Sequence, residues 1–176
     1  QRRALHLENI HPDGAAALTA GDFAVDQRAG ALGEEELIEA LSGVGLLGIR
    51  SNTTVSKRVL DAAPDLLAIG AYCIGTNQID IAAAARRGIA VFNAPFSNTR
   101  SVVELALAEI IALTRRLTER DRALHAGVWD KSADGAHEVR GRTLGIVGYG
   151  NIGTQLSVLA ESLGMSVVFY DSAERL

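Results

Sequence analysis

Residues 143–171 carry a pattern that few folds can satisfy. A short apolar run, Thr143-Leu144-Gly145-Ile146-Val147, leads into Gly148-Tyr149-Gly150-Asn151-Ile152-Gly153. A helical pattern from Ile152 to Leu163 follows, then a second strand-like run, Ser166-Val167-Val168-Phe169-Tyr170, that ends in Asp171. Strand, glycine turn, helix, strand and acid, in that order, form a dinucleotide-binding fingerprint. Each glycine has a mechanical reason: Gly148 for the sharp turn, Gly150 for backbone approach to a pyrophosphate, Gly153 for close packing of helix on strand. The helix N-terminus offers unpaired N–H groups and a positive dipole end to the phosphates. Asp171 stands 23 positions after Gly148, near the spacing of roughly 20 residues at which an acid binds the adenosine ribose hydroxyls. A turn that bound nothing would need neither the third glycine nor the acid. Flavin enzymes and methyltransferases share parts of the pattern, but the full spacing favours NAD. A carboxylate at 171 repels the 2′-phosphate of NADP, and Ser172 and Ala173 bring no cation to offset it; Arg175 is the nearby charge that would act the other way.

At 176 residues the chain is long enough for one domain or two small ones. Its 48% hydrophobic and 22% charged residues suit a soluble globular protein with a sizeable core. A net charge of −4 gives no reason to expect nucleic acid or an anionic membrane as partner. Cys73 is the single cysteine, which excludes an internal disulfide and a cysteine-rich metal site and suits a reducing compartment. No N-terminal run reads as a signal peptide, and the longest apolar segment, 101–114, is broken by Glu104 and Glu109 and too short to span a bilayer. A cytoplasmic location is expected. A lone strand-helix-strand unit leaves both its edges unpaired, so the chain is expected to be the N-terminal part of a longer polypeptide.

Upstream, strands and helices alternate. Strand character covers 3–10, 23–26, 44–49, 66–70 and 89–92, and helical character covers 12–20, 34–41, a segment capped by Ser56, and 79–87 closed by Gly88. Five short strands separated by helices indicate an α/β, flavodoxin-like doubly wound parallel sheet, here followed by the start of a Rossmann nucleotide-binding domain. The polar, turn-rich stretch 93–99 marks the boundary, giving domains at 1–96 and 97–176. A long helix over 100–117 has apolar residues almost all round (Val102, Val103, Leu105, Leu107, Ile110, Ile111, Leu113), the pattern of a helix buried in a large core or at a subunit interface. A second amphipathic stretch covers 119–126. Trp129, alone in a polar loop, is a packing anchor or a subunit contact.

Two loops follow predicted strands and so lie on the edge where such sheets bind ligands. In Gly48-Ile49-Arg50-Ser51-Asn52-Thr53-Thr54, an arginine with neighbouring hydroxyls and free backbone amides suits a carboxylate or phosphate clamp. A solvated arginine in a turn is the plainer reading. In Cys73-Ile74-Gly75-Thr76-Asn77-Gln78-Ile79-Asp80, Gly75 permits close backbone approach, while Asn77 or Gln78 would cap the next helix. His6, His11, His125 and His137 are scattered surface or packing histidines, none paired with a carboxylate in a triad or metal pattern. Glu104 and Glu109 point about 140° apart at ~100° per residue and form no paired-carboxylate site. No metal site is expected.

Taken together, Gly48-Ile49-Arg50-Ser51, residues 74–80, residues 93–102, Gly127-Val128-Trp129 and residues 144–153 resemble the D-isomer-specific 2-hydroxyacid dehydrogenases, in their bacterial serine-biosynthesis branch. These segments span the chain nearly end to end and in order. The resemblance implies a substrate domain at 1–96 and a nucleotide-binding domain entered through the long helix. It implies that Arg50 and Ser51 hold the substrate's anionic groups, that Ile74 and Gly75 line the cleft, and that Asn98 sits at a hinge near the nicotinamide. Gly148, Tyr149, Gly150, Asn151, Ile152, Gly153 and Asp171 would hold NAD. Asn52 fills a position where some bacterial members carry a second arginine. The implied reaction is NAD-dependent oxidation of 3-phosphoglycerate to 3-phosphohydroxypyruvate in the whole protein, as a homodimer or homotetramer. The family's catalytic arginine, carboxylate and histidine fall beyond residue 176, so this stretch alone is expected to turn nothing over. Two alternatives stand beside it: another D-2-hydroxyacid dehydrogenase, such as a glyoxylate or hydroxypyruvate reductase, or a non-catalytic NAD-binding corepressor.

Overall fold

A computed structural model describes residues 2–173, which leaves Arg175 outside the described residues. The chain divides into two compact units, Gln1–Ser97 and Asn98–Leu176.

The first unit is a five-stranded, all-parallel sheet in the order β2-β1-β3-β4-β5. Its strands are β1 (Arg2–His6), β2 (Phe23–Gln27), β3 (Val44–Ile49), β4 (Ala68–Ala71) and β5 (Ala90–Asn93). Between them run α1 (Pro12–Ala20), α2 (Glu34–Ala40), α3 (Lys57–Ala62) and α4 (Ile81–Arg86). The chain winds one way from β1 to β2 and the other way from β2 through β5. Right-handed crossovers therefore put α1 on one face and α2, α3 and α4 on the other. Strand alternation matches. Leu5 and Leu7, Leu47 and Ile49, and Ile69 and Ala71 point into a core shared with Leu37, Leu41, Val59, Leu60, Ala83 and Ala84.

The opposite residues, among them His6, Leu46, Gly48, Ala68 and Gly70, line an open groove of about 370 Å³ beside Leu18 of α1. His6 is 2% exposed, with its ring edge-on to Tyr72 at 5.3 Å between centroids and its Nε2 3.4 Å from the Tyr72 hydroxyl. Burial holds the imidazole pKa below the ordinary 6.5. Stability that depends on neutral His6 is therefore complete above pH 6.5 and is lost as pH falls through its lower folded-state value. His6→Leu should lose less melting temperature than the parent between about pH 7.5 and about pH 5. Equal losses in the two proteins would remove His6 from the acid response.

The first strand ends four residues sooner than its apolar run predicts. Glu8 and Asn9 both adopt left-handed backbone (φ 64 and 52), which no strand can continue. The fourth helix starts at Ile81, not 79, because Ile79 is drawn into a parallel bridge with Val55. Asp80 is its cap, accepting the Ala83 N–H at 2.8 Å, so neither Asn77 nor Gln78 has the capping role.

In the second unit, α5 (Thr99–Thr114) and α6 (Leu117–His125) precede a parallel strand pair, β6 (Thr143–Val147) and β7 (Ser166–Tyr170), joined by α7 (Asn151–Ser162). The predicted helix over 100–117 stops at 114, because Arg116 is left-handed (φ 55) and restarts the chain as α6. Helix α5 packs against α7 but buries only Thr99 and Val103; Leu105 and Leu113 stay 61% and 72% exposed. Within this chain its apolar circumference is thus covered along one stripe. Trp129 is not a packing anchor here: it is 70% exposed, in a shallow hollow with Leu117, Leu124 and Val128. No helix among the described residues is long and apolar enough to cross a membrane.

Candidate functional site

The β3–α3 loop hangs from the carboxyl end of a central strand. Arg50, Ser51 and Asn52 are exposed there, while Thr53 is buried. The backbone amides are not free, as the sequence alone suggested. Glu8, 6% exposed, turns its carboxylate under the loop. Its Oε2 accepts the N–H of Arg50 at 2.7 Å and of Thr53 at 3.2 Å, and its Oε1 accepts that of Asn52 at 2.8 Å. Burial pushes the Glu8 pKa up, but the amide bonds from Arg50, Asn52 and Thr53 outweigh it and hold the carboxyl below its usual 4.5. The Ser51 N–H, by contrast, makes no hydrogen bond among the described residues.

The β4–α4 loop meets this one through Gln78. Its buried amide donates to the carbonyl of Arg50 at 2.7 Å and to that of Gly75 at 3.3 Å, and it lies 3.4 Å from the Cys73 sulfur. Ile74 is fixed in turn, its carbonyl accepting the Asn93 side-chain amide at 2.8 Å. Arg50, Ser51, Ile74 and Gly75 therefore share one end of the sheet, in two loops tied to each other. Asn98 lies in the other unit, exposed, as the N-terminal flank of α5 and without a side-chain capping bond.

In the second unit Gly148 turns the chain with φ 98. A Cβ on Gly153 would stand 2.3 Å from the Gly148 carbonyl oxygen, whereas one on Gly150 would meet nothing within 4 Å. The N–H groups of Asn151, Ile152 and Gly153 have no acceptor among the described residues, so the start of α7 presents donors beside open space. Asp171 closes the turn: its Oδ2 accepts the Tyr149 N–H at 2.6 Å and its Oδ1 that of Ala173 at 2.9 Å. The Tyr149 ring stacks on Phe169 at 3.8 Å, and its hydroxyl is 2.6 Å from the Oγ of buried Ser157.

Sequence reasoning missed Glu8 and Ser157, and gave Gln78 a capping role in place of its bond to the Arg50 carbonyl. A signal existed for the first: an acid inside the apolar run 4–10 has to be satisfied somewhere. Two histidines do lie beside a carboxylate, in neither case as part of a triad or metal pattern. His125 lies 3.5 Å from Asp121, one turn earlier on α6, and His11 lies 3.4 Å from Asp13. Both pairs are exposed, and no group of three metal-ligating side chains converges among the described residues.

The family model for D-isomer specific 2-hydroxyacid dehydrogenase, catalytic domain, matches residues 4–172. The D-3-phosphoglycerate dehydrogenase of Haemophilus influenzae is 52% identical over 97% of this chain and 42% of its own length. That of Dictyostelium discoideum is 49% identical over 99% of this chain and 43% of its own. The chain thus spans less than half the length of these relatives. Among solved structures, a Thermus thermophilus protein superposes with a TM-score of 0.88 at 28% identity, covering 98% of this chain and 57% of that one. The D-lactate dehydrogenase of Aquifex aeolicus, solved with NAD and lactic acid, superposes with a TM-score of 0.81 at 23% identity over 98% of this chain and 52% of that one, which shows a shared fold. With a matching family model over nearly all its length, the chain belongs to the D-isomer-specific 2-hydroxyacid dehydrogenases.

Proposed function

We propose that the protein carrying this chain is an NAD-dependent D-3-phosphoglycerate dehydrogenase, oxidising 3-phosphoglycerate to 3-phosphohydroxypyruvate on the way to serine. The observation that carries the reading is 52% identity to a protein of that name, kept up over 97% of the chain. In this reading residues 1–96 bear the substrate grip and residues 97–176 begin the NAD-binding domain.

The Arg50 guanidinium offers a planar fork of donors, and the Ser51 hydroxyl and N–H add two more, for the phosphate or carboxylate of the substrate. Ile74 and Gly75 line the cleft, and Asn98 is the hinge residue near the nicotinamide. The donor set in the second unit fits a dinucleotide. The amides of Asn151, Ile152 and Gly153 face a diphosphate, the bare backbone at Gly148 and Gly150 lets it come close, and Tyr149 holds the turn. Asp171 accepts from the ribose hydroxyls. NAD, when bound, supplies the hydride acceptor. The exposed apolar surface of α5, and the exposed Trp129 beside α6, favour a homodimer or homotetramer, with the assembled enzyme in the cytoplasm.

Cofactor choice tests the reading. The full-length protein should bind NADH at least on the order of tenfold more tightly than NADPH, because the Asp171 carboxylate would face the 2′-phosphate. Titration by nicotinamide fluorescence measures both. Equal affinities, or none for either, would remove the basis of the assignment.

A further inference from the structure

An exposed arginine is a poor anchor unless its main chain is held, since a long side chain on a drifting loop spreads its charge over many positions. In this protein the residues around Arg50 are tethered from two directions. The carboxylate of Glu8 collects three amides of the run 50–53, and the side-chain amide of Gln78 takes the Arg50 carbonyl. Both tethers are buried, at 6% and 9% exposure. The Ser51 N–H, the amide Glu8 leaves over, lies between two tethered neighbours. Resting on the reading of Arg50 and Ser51 as the anion grip, we propose that Glu8 and Gln78 are positioning residues: they fix the loop main chain so that Arg50 and Ser51 meet the substrate's anionic groups already arranged.

The chain accepts two independent disadvantages at Glu8. A charged group is buried close to where an anion would bind, and its own backbone, with that of Asn9, is left-handed. A leucine in that place would relieve the first. A carboxylate is needed because its two oxygens can receive three converging N–H donors, whereas a glutamine would turn an NH₂ group against one of them. Neither residue need touch the substrate. Their effect passes through Arg50 and Ser51, Arg50 carrying the charge, which makes the proposal separable from a general loss of stability.

The test is steady-state kinetics of the full-length protein with 3-phosphoglycerate, on Glu8→Gln, Gln78→Ala, Arg50→Ala and the two doubles that pair each tether variant with Arg50→Ala. Expected for each tether variant is a rise in KM on the order of tenfold, kcat within about twofold of the parent, and unchanged NADH affinity. In the Arg50→Ala background either tether substitution should move KM by clearly less than it does in the parent, because the charged group it positions is gone and only the Ser51 donors remain. If Glu8→Gln does not fold, Gln78→Ala decides, since it places no extra donor under the loop. Should Arg50→Ala raise KM while both tether variants leave it in place, the anion grip stands and the positioning roles are overturned. Additive effects in the doubles would also overturn them. Should Arg50→Ala itself leave KM unmoved, the grip reading fails and this proposal falls with it.

Discussion

Gly153→Ala is expected to cripple cofactor binding and to lower the melting temperature of the full-length protein together. The added methyl would stand 2.3 Å from the Gly148 carbonyl oxygen, 3.3 Å from its carbon and 3.2 Å from the Ile146 side chain. Two of those three atoms are backbone of the turn itself, so no side-chain rotation relieves the overlap. Helix α7 has to back away from β6, at a cost of ~1–3 kcal/mol for overpacking a fitted site. The same movement carries the Asn151 and Ile152 amides off the phosphate position, and a displacement of about 1 Å is enough to lose on the order of a hundredfold in a positioned interaction. Gly150→Ala is the control. Its methyl meets nothing within 4 Å, so folding should be untouched and only ligand approach impeded. Thermal unfolding and NADH titration of the two variants check both statements. A Gly153→Ala protein with parental melting and affinity would show that α7 need not sit this close.

Arg50→Ala should raise KM for 3-phosphoglycerate on the order of a hundredfold, the equivalent of about 2.7 kcal/mol in a charge-assisted, bidentate contact. Its loop is exposed, so the fold should tolerate the change, and the melting temperature should move by no more than a surface substitution allows. The comparison that matters is between substrates. If Arg50 receives the phosphate, an unphosphorylated D-2-hydroxy acid should suffer a far smaller loss than 3-phosphoglycerate. Equal losses for the two would place a carboxylate at Arg50 and favour a reductase of unphosphorylated hydroxy acids. Asn52 gives the comparison its edge: with a neutral side chain beside it, Arg50 is the one cation of the run 50–54.

Much of the fold is legible in the sequence because local and tertiary signals agree there. The strand at 44–49 and the helix at 12–20 keep the bounds their patterns predict, and the glycine turn shows its consequences in φ at Gly148 and in the contact at Gly153. Legibility fails where a distant partner decides. The run 4–10 reads as one strand, yet it stops at His6 so that Glu8 can reach residues 42 to 45 positions later. Gln78 resembles a helix cap by position, but Asp80 takes the cap and frees Gln78 for the Arg50 carbonyl. The break between α5 and α6 carries no glycine or proline to announce it. Arg116 adopts the left-handed turn and is held by Glu119 and the Asp134 carbonyl. Periodicity speaks for neighbours along the chain and is silent about such cross-links.

The order β2-β1-β3-β4-β5 puts the loops bearing Glu8 and Arg50 at the ends of β1 and β3, strands that are paired along both margins. The outermost ribbons, β2 and β5, are the ones that can fray. Thermal breathing at the rim therefore has to cross a strand paired on both sides before it disturbs the charged fork. On the proposed reading of Arg50, the anion grip stands at the end of the central strand of the five, two ribbons in from either margin.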